Sequence, residues 1–97
     1  MIITFKGHRW IKFKNGITLS IFNGFGSYSE NHFNYKVRTK KIIKTKTCEI
    51  AILRNEFFIT DSILNNGDKV KGYVNKKELK EIIQKIKNYG MNNEKNI

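Results

Sequence analysis

The chain has 97 residues, a net charge of +11, one cysteine and no proline. That length allows one domain with one hydrophobic core, and a supply of seven Phe, four Tyr, one Trp and many Ile excludes disorder except at the ends. No apolar run approaches the ~20 residues of a membrane span, Met1-Ile2-Ile3-Thr4-Phe5-Lys6 lacks a signal-peptide pattern, and lone Cys48 forms no internal disulfide, so a cytoplasmic protein is expected.

The charge is uneven. Residues 1–46 hold ten Lys/Arg and one acid, Glu30, whereas residues 47–97 hold nine Lys/Arg and seven acids. Such a field favours anionic partners: nucleic acid, a nucleotide, an acidic protein surface or anionic lipid. The same abundance of Lys, Asn and Ile is also what an AT-rich genome produces, and both readings stand on the composition alone.

In chain order, the first unit is a hairpin. Apolar Ile11, Phe13, Ile17, Leu19 and Ile21 alternate with polar Lys12, Lys14, Thr18 and Ser20 around Asn15-Gly16. A two-residue loop would set Phe13 opposite Thr18 and mix the faces. A three-residue loop, Lys14-Asn15-Gly16, sets Phe13 opposite Ile17 and Ile11 opposite Leu19, with Gly16 at the position that needs a positive φ. Residues 23–32 then form a long loop with two glycines, two serines, two asparagines and no apolar period.

Residues 33–47 carry Lys36, Arg38, Lys40, Lys41, Lys44 and Lys46 with no acid, alternating with Tyr35, Val37, Thr39, Ile43 and Thr45. The alternation predicts one strand with a basic, solvated face, either continuous or broken near Lys40-Lys41. Cys48 to Leu53 reads as a central strand, Arg54-Asn55-Glu56 as a turn, Phe57 to Leu64 as a further strand, and Asn65-Asn66-Gly67-Asp68 as a turn. Val70 to Val74 is the last strand, where Gly72 marks a bulge or a close backbone approach. Asn75 caps the one helix, with Glu78 at the capping-box spacing. Leu79, Ile82, Ile83 and Ile86 form its apolar stripe, Gly90 suits its stop, and residues 91–97 read as a flexible tail. The expected fold is a single α+β domain over 1–90: an antiparallel sheet of about five strands with one C-terminal helix packed on one face.

Catalysis is poorly supported. His8, His32 and Cys48 are too few for a closed zinc site, no cofactor motif is present, and Cys48 opens an apolar strand as a small core residue would. A Cys48–His dyad, a hydrolytic cluster of Ser27, Ser29, Glu30 and His32, and a Glu49–Asp61 carboxylate pair are the arrangements that would carry chemistry. The loop is the more site-like feature. Gly24 and Gly26 let backbone amides approach a ligand, while Ser27, Tyr28, Ser29, Asn31 and His32 offer hydrogen bonds, and Phe25 offers a ring. Read residue by residue, a structural loop with Tyr28 packed on the core is the stronger alternative. Basic residues interleaved with Trp10, Phe22, Phe25, Tyr28, Phe33 and Tyr35 suit a sequence-tolerant single-strand binder, although most of those rings are expected in the core.

Three segments resemble a family of small phage and mobile-element proteins. They are Asn15-Gly16-Ile17-Thr18-Leu19-Ser20-Ile21 running into Gly24-Phe25-Gly26-Ser27-Tyr28-Ser29-Glu30-Asn31, then Cys48-Glu49-Ile50-Ala51, then Gly67-Asp68-Lys69-Val70-Lys71-Gly72-Tyr73 before the closing helix. Together they cover about three-quarters of the chain. The family pattern often has Cys after the loop tyrosine, where this chain has Ser29, and the basic segment 36–46 is particular to this chain. The resemblance implies an accessory protein that binds and blocks host machinery. The expectation is therefore a non-enzymatic inhibitor of bacterial immunity, anti-CRISPR-like or a sponge for a nucleotide signal, with the alternative of a direct nucleic-acid binder. Its partner would be a host defence protein or an anionic ligand, with no membrane role. A nucleotide pocket at a subunit boundary would make it a homo-oligomer. The contact residues would be Gly24, Phe25, Gly26, Ser27, Tyr28, Ser29, Asn31, His32, Lys36, Arg38, Lys40, Lys41 and Lys44.

Overall fold

The computed structural model describes residues 2–40 and 43–95, with side chains as far as Tyr89. The fold is α+β: six antiparallel strands and a C-terminal helix. The strands are β1 (Ile2–Phe5), β2 (His8–Lys12), β3 (Ile17–Phe22), β4 (Thr47–Arg54), β5 (Phe57–Phe58) and β6 (Val70–Asn75). The helices are a short α1 (Thr60–Leu64) and the long α2 (Lys76–Lys95). The sheet runs β1-β2-β3-β4, and β5 and β6 share the far edge of β4. Among the described residues no helix is long and apolar enough to cross a membrane.

The β2–β3 hairpin has the three-residue loop expected of it. Ile11 faces Leu19, the Phe13 amide donates to Ile17 O at 2.9 Å, and Gly16 has φ +82° with open space where a Cβ would sit. Gly16 is needed there for its backbone angle alone. Asn15 ties this loop down twice: its Oδ1 accepts from the Ile17 amide, and its Nδ2 donates to Ile86 O on α2 at 3.0 Å. One face of the hairpin thus follows the helix that covers it.

β1 is an addition to the expected sheet. Lys6 and Gly7, at φ 44° and 79°, make a two-residue turn of the kind that matches strand twist, and Phe5 pairs with His8. All four β1 residues are exposed, as an edge strand allows.

Two expected strands are corrected. Residues 33–40 and 43–45 form no strand: Asn34 accepts from the Lys36 amide, and a single 3-10 turn follows over Tyr35–Val37. Val37 is the one buried side chain of that turn, so an alternating basic segment has no apolar face to hold it in a sheet, and the asparagine side chain starts a turn instead. Phe57 to Leu64 keeps only the Phe57–Phe58 pairing. At Thr60 the chain leaves the sheet, because the Thr60 hydroxyl accepts from the Ile52 amide and donates to Lys69 O. β6 then takes the adjoining edge of β4, with Val70 opposite Ala51.

The core lies between β3, β4, β6 and α2: Ile17, Leu19, Ile21, Cys48, Ile50, Ile52, Val74, Ile82 and Ile86. It is aliphatic. None of the twelve aromatic side chains is fully buried: of the aromatic residues and isoleucines expected to supply the core, the isoleucines do so, and Phe13 and Tyr89 pack only against its margin. The helix begins as expected, with Asn75 Oδ1 accepting from the Glu78 amide at 2.9 Å. Leu79, Ile82, Ile83 and Ile86 pack on the core. The helix continues through Gly90 to Lys95 rather than stopping at Gly90.

Candidate functional site: an exposed ring and cation surface

The loop after β3 is held by its own polar groups. The Ser27 hydroxyl donates to Gly24 O at 2.6 Å and meets Ser29 Oγ at 2.7 Å. Ser29 Oγ also accepts from the Asn31 amide, Asn31 Nδ2 donates to Asn23 O, and Asn34 Nδ2 donates to Asn31 Oδ1. Asn23 Nδ2 reaches Ile43 O and Thr45 Oγ1. Asn23, Ser27, Ser29 and Asn31 are all buried. A polar group in that position must be bonded, and these satisfy one another inside the protein. Gly24 is packed against Lys6 O and the Phe22 ring, while Gly26 provides a positive φ of 86°. The serines, Asn31 and the glycines therefore shape the loop.

Its outward side belongs to rings. Tyr28, Phe33 and Tyr35 are 49%, 78% and 65% exposed. His32 stacks on Tyr28 at 5.6 Å and meets Phe33 edge-on at 4.3 Å. Phe25 packs on Tyr35 at 4.7 Å, and the Arg38 guanidinium lies 5.6 Å and 6.0 Å from the centres of those two rings. Lys36 and Lys40 are exposed beside them. Phe33 and Tyr35, two of the rings interleaved with basic residues, are thus surface residues and not core, and they join the expected contact residues. The signal that marks them is their interleaving with Lys36 and Arg38 in a segment without acids.

Glu30, the one acid of this segment, is turned away. Its carboxylate accepts from the Lys46 amide at 2.6 Å, the Thr47 amide at 2.9 Å and the Thr47 hydroxyl. Partial desolvation pushes its pKa up, but the hydrogen bonds from the Thr47 hydroxyl and amide, its own amide and the Lys46 amide outweigh it and hold the pKa below the ordinary glutamate value. The negative charge so placed leaves Arg38, Lys36 and Lys40 without an ion-pair partner among the described residues. Lys41 lies outside the described residues. Lys44 lines a pocket to which none of Tyr28, Phe33, Tyr35 and Arg38 contributes.

The arrangements that would carry catalysis are not assembled. His8 Nε2 meets Ser20 Oγ at 2.6 Å on the strand pair β2–β3, and His32 Nδ1 meets Ser27 O at 3.1 Å, so neither ring is bonded to Cys48 or to the hydroxyl of Ser27 or Ser29. Burial pushes the Cys48 thiol up to about 11, the reverse of an activated nucleophile. Glu49 accepts from the Tyr28 amide and Asp61 from the Gly67 amide, at separate places. Among the described residues no three His, Cys, Asp or Glu are grouped as metal ligands. Comparison with family models, with curated proteins and with solved structures finds no match to this chain.

Proposed function

We propose that this chain is a small binding protein of phage or mobile-element type, which acts without catalysis by covering a surface of a host protein partner. The observation that carries the reading is the outward cluster of Tyr28, Phe33 and Tyr35 beside Arg38, on a loop braced by buried hydrogen bonds. Exposed aromatic residues with an arginine are the composition of interface hot spots, and a stiff loop loses little freedom on docking. A partner would need to bury roughly 800 Å² on this side. The acid-free neighbourhood of Lys36, Arg38 and Lys40 favours an acidic partner surface, such as one whose carboxylates mimic phosphates. An inhibitor of bacterial immunity is the specific form of this reading that the family resemblance supports.

A second reading has its own support. Arg38 over two rings, with Phe33 and Tyr35 open to solvent, also suits stacking of unpaired bases. Capture from a bacterial host lysate, with and without nuclease, separates the two. The expected result is a protein retained in the presence of nuclease by the wild type and lost by the Phe33→Ala/Tyr35→Ala double variant. Equal capture by that variant, or no capture at all, would overturn the reading. Capture that disappears with nuclease, together with oligonucleotide binding that falls steeply with salt, would favour the second.

A further inference from the structure

Away from the rings, the β1–β2 turn, the segment 43–47 and the first turn of α2 enclose a pocket of ≈ 390 Å³. That lies within the ~300–1,000 Å³ usual for small-molecule sites. Arg9, Lys44, Lys46 and Lys76 line it, and no Asp or Glu does. Cations gathered around one concavity raise a positive potential that low-dielectric walls sharpen, and an anion relieves it. The remaining wall is partly apolar, through Ile43, Val74 and Leu79.

Cations outnumber the carboxylates around the pocket. Cys48 lines the pocket, and with its thiol pushed up to about 11 by burial it stays neutral at ordinary pH. The carboxylates within electrostatic reach of that thiol are Glu30, Glu49 and Glu78. Of these only Glu78 is ion-paired, with Lys71 at 3.3 Å; Glu30, on the Lys46 and Thr47 amides, and Glu49, on the Tyr28 amide at 3.2 Å, keep their charge, and none of the three lines the pocket. Arg9, Lys44, Lys46 and Lys76 form no ion pair among the described residues.

We propose that this pocket binds a small phosphate-bearing molecule of mononucleotide size, its phosphate on the Arg9 guanidinium and the Lys76 ammonium and its flat body against Ile43, Val74 and Leu79. Arg9 provides the forked donor pair that suits phosphate, and Lys76 a mobile point charge. Lys44 and Lys46 close the anionic side from the facing segment. The apolar wall separates an organic phosphate from the bare ion, which has nothing to place there. None of the ring residues lines this pocket, so the inference stands apart from the ring surface.

Calorimetric titration of the full chain with AMP and with inorganic phosphate tests it. The expected result is one AMP per chain, bound more tightly than inorganic phosphate and more weakly as salt is raised. Arg9→Gln and Lys76→Gln, both exposed positions, each weaken AMP by roughly tenfold or more while the thermal melt stays put. The Phe33→Ala/Tyr35→Ala variant binds AMP as the wild type does. Absence of AMP binding at low salt, unchanged affinity in both Gln variants, or loss in the ring variant would overturn the proposal. So would a 5′-phosphorylated oligonucleotide that binds more tightly than AMP, because the site would then belong to a nucleic-acid chain.

Discussion

Tyr28 sits where a side chain at Gly72 would have to be. A Cβ built on Gly72 comes within 2.7 Å of Tyr28 Cβ, and the next amide, that of Tyr73, donates to Tyr28 O at 2.8 Å. Between Cys48 and Ile50 of β4 the partner strand β6 runs from Val74 to Lys71, so Gly72 and Tyr73 together face the single residue Glu49. This is a bulge, with Tyr73 at φ 53°. Glu49 in turn accepts from the Tyr28 amide. The bulge therefore fastens the ring-bearing loop to the sheet through backbone groups, and leaves the Tyr28 ring on the outside.

Gly72→Ala is expected to destabilise the chain by about 1–3 kcal/mol, the usual cost of forcing extra volume against a fixed neighbour. The neighbour here is the base of a side chain whose backbone is bonded on both sides, so it has little room to give. Urea unfolding measures the loss. Hydrogen exchange at the Tyr73 amide reports whether the loop detaches before the sheet does, and faster exchange there is the expected sign. A variant with the wild-type midpoint and wild-type exchange would show that Tyr28 moves aside freely.

Much of this fold is legible in the residues, and the exceptions have physical causes. Asn15-Gly16 between two alternating runs leaves one register that keeps the faces unmixed, and the hairpin adopts it. Asn75 and the Leu79–Ile86 stripe define the helix for the same reason: the local pattern and the burial it requires agree. Residues 33–40 mislead because alternation signals a strand only when one of the two faces is buried, and here Val37 alone is buried while Tyr35 and Thr39 on the same alternation are exposed. Thr60 misleads because the decisive bonds of its hydroxyl go to Ile52 and Lys69, which are distant in sequence. Phe33 and Tyr35 are mistaken for core because aromatic rings usually are core. Isoleucines from β3, β4 and α2 had already filled that space, a fact of packing that no local pattern carries. The inward use of Ser27, Ser29 and Asn31 was hidden likewise, since a Ser- and Asn-rich loop reads the same whether its donors face a ligand or one another.

Asn23 joins three segments. Its backbone amide donates to Gly7 O at 2.9 Å, its carbonyl accepts from Asn31, and its Nδ2 donates to Ile43 O and Thr45 Oγ1. Asn23→Ala leaves the backbone bonds and strips the two side-chain ones from a buried place. The expected cost is about 1–3 kcal/mol, that of leaving buried acceptors unsatisfied. Asn23→Asp is expected to be worse, because it turns a carboxylate toward the Ile43 carbonyl. Denaturation midpoints of the two variants check the order, and Asp matching or exceeding the wild type would contradict it.

The Glu30 clasp predicts an acid-sensitive attachment of the loop. Its pKa lies below the ordinary glutamate value in the folded chain, so the clasp is at full strength above that ordinary value and is lost as pH falls through the lower, folded value. The group is exposed, and solvent screening keeps its share of global stability small. A local probe is therefore the right one. The Lys46 and Thr47 amide resonances should titrate together with a midpoint below that of a free glutamate, and Glu30→Gln should abolish the transition. Titration at the ordinary midpoint would mean the three donors do not favour the charged form.

His8 sets a second pH dependence in a higher window. Its ring stacks on Trp10 at 3.8 Å and lies 5.2 Å from Phe22, with Nε2 on Ser20 Oγ at 2.6 Å. Burial among these groups lowers its pKa from the ordinary 6.5. The folded chain thus resists a proton that the unfolded chain accepts. As pH falls below the ordinary value, the unfolded state gains protons first and stability declines, levelling off only once the folded ring also protonates. Melting temperatures between about pH 8 and pH 5 should fall on the acid side for the wild type and fall less for His8→Phe, which keeps the stack on Trp10. Because every other ionisable group is common to both proteins, the difference between the two curves isolates His8. A flat difference across that range would mean the His8 ring takes a proton as readily in the sheet as in water.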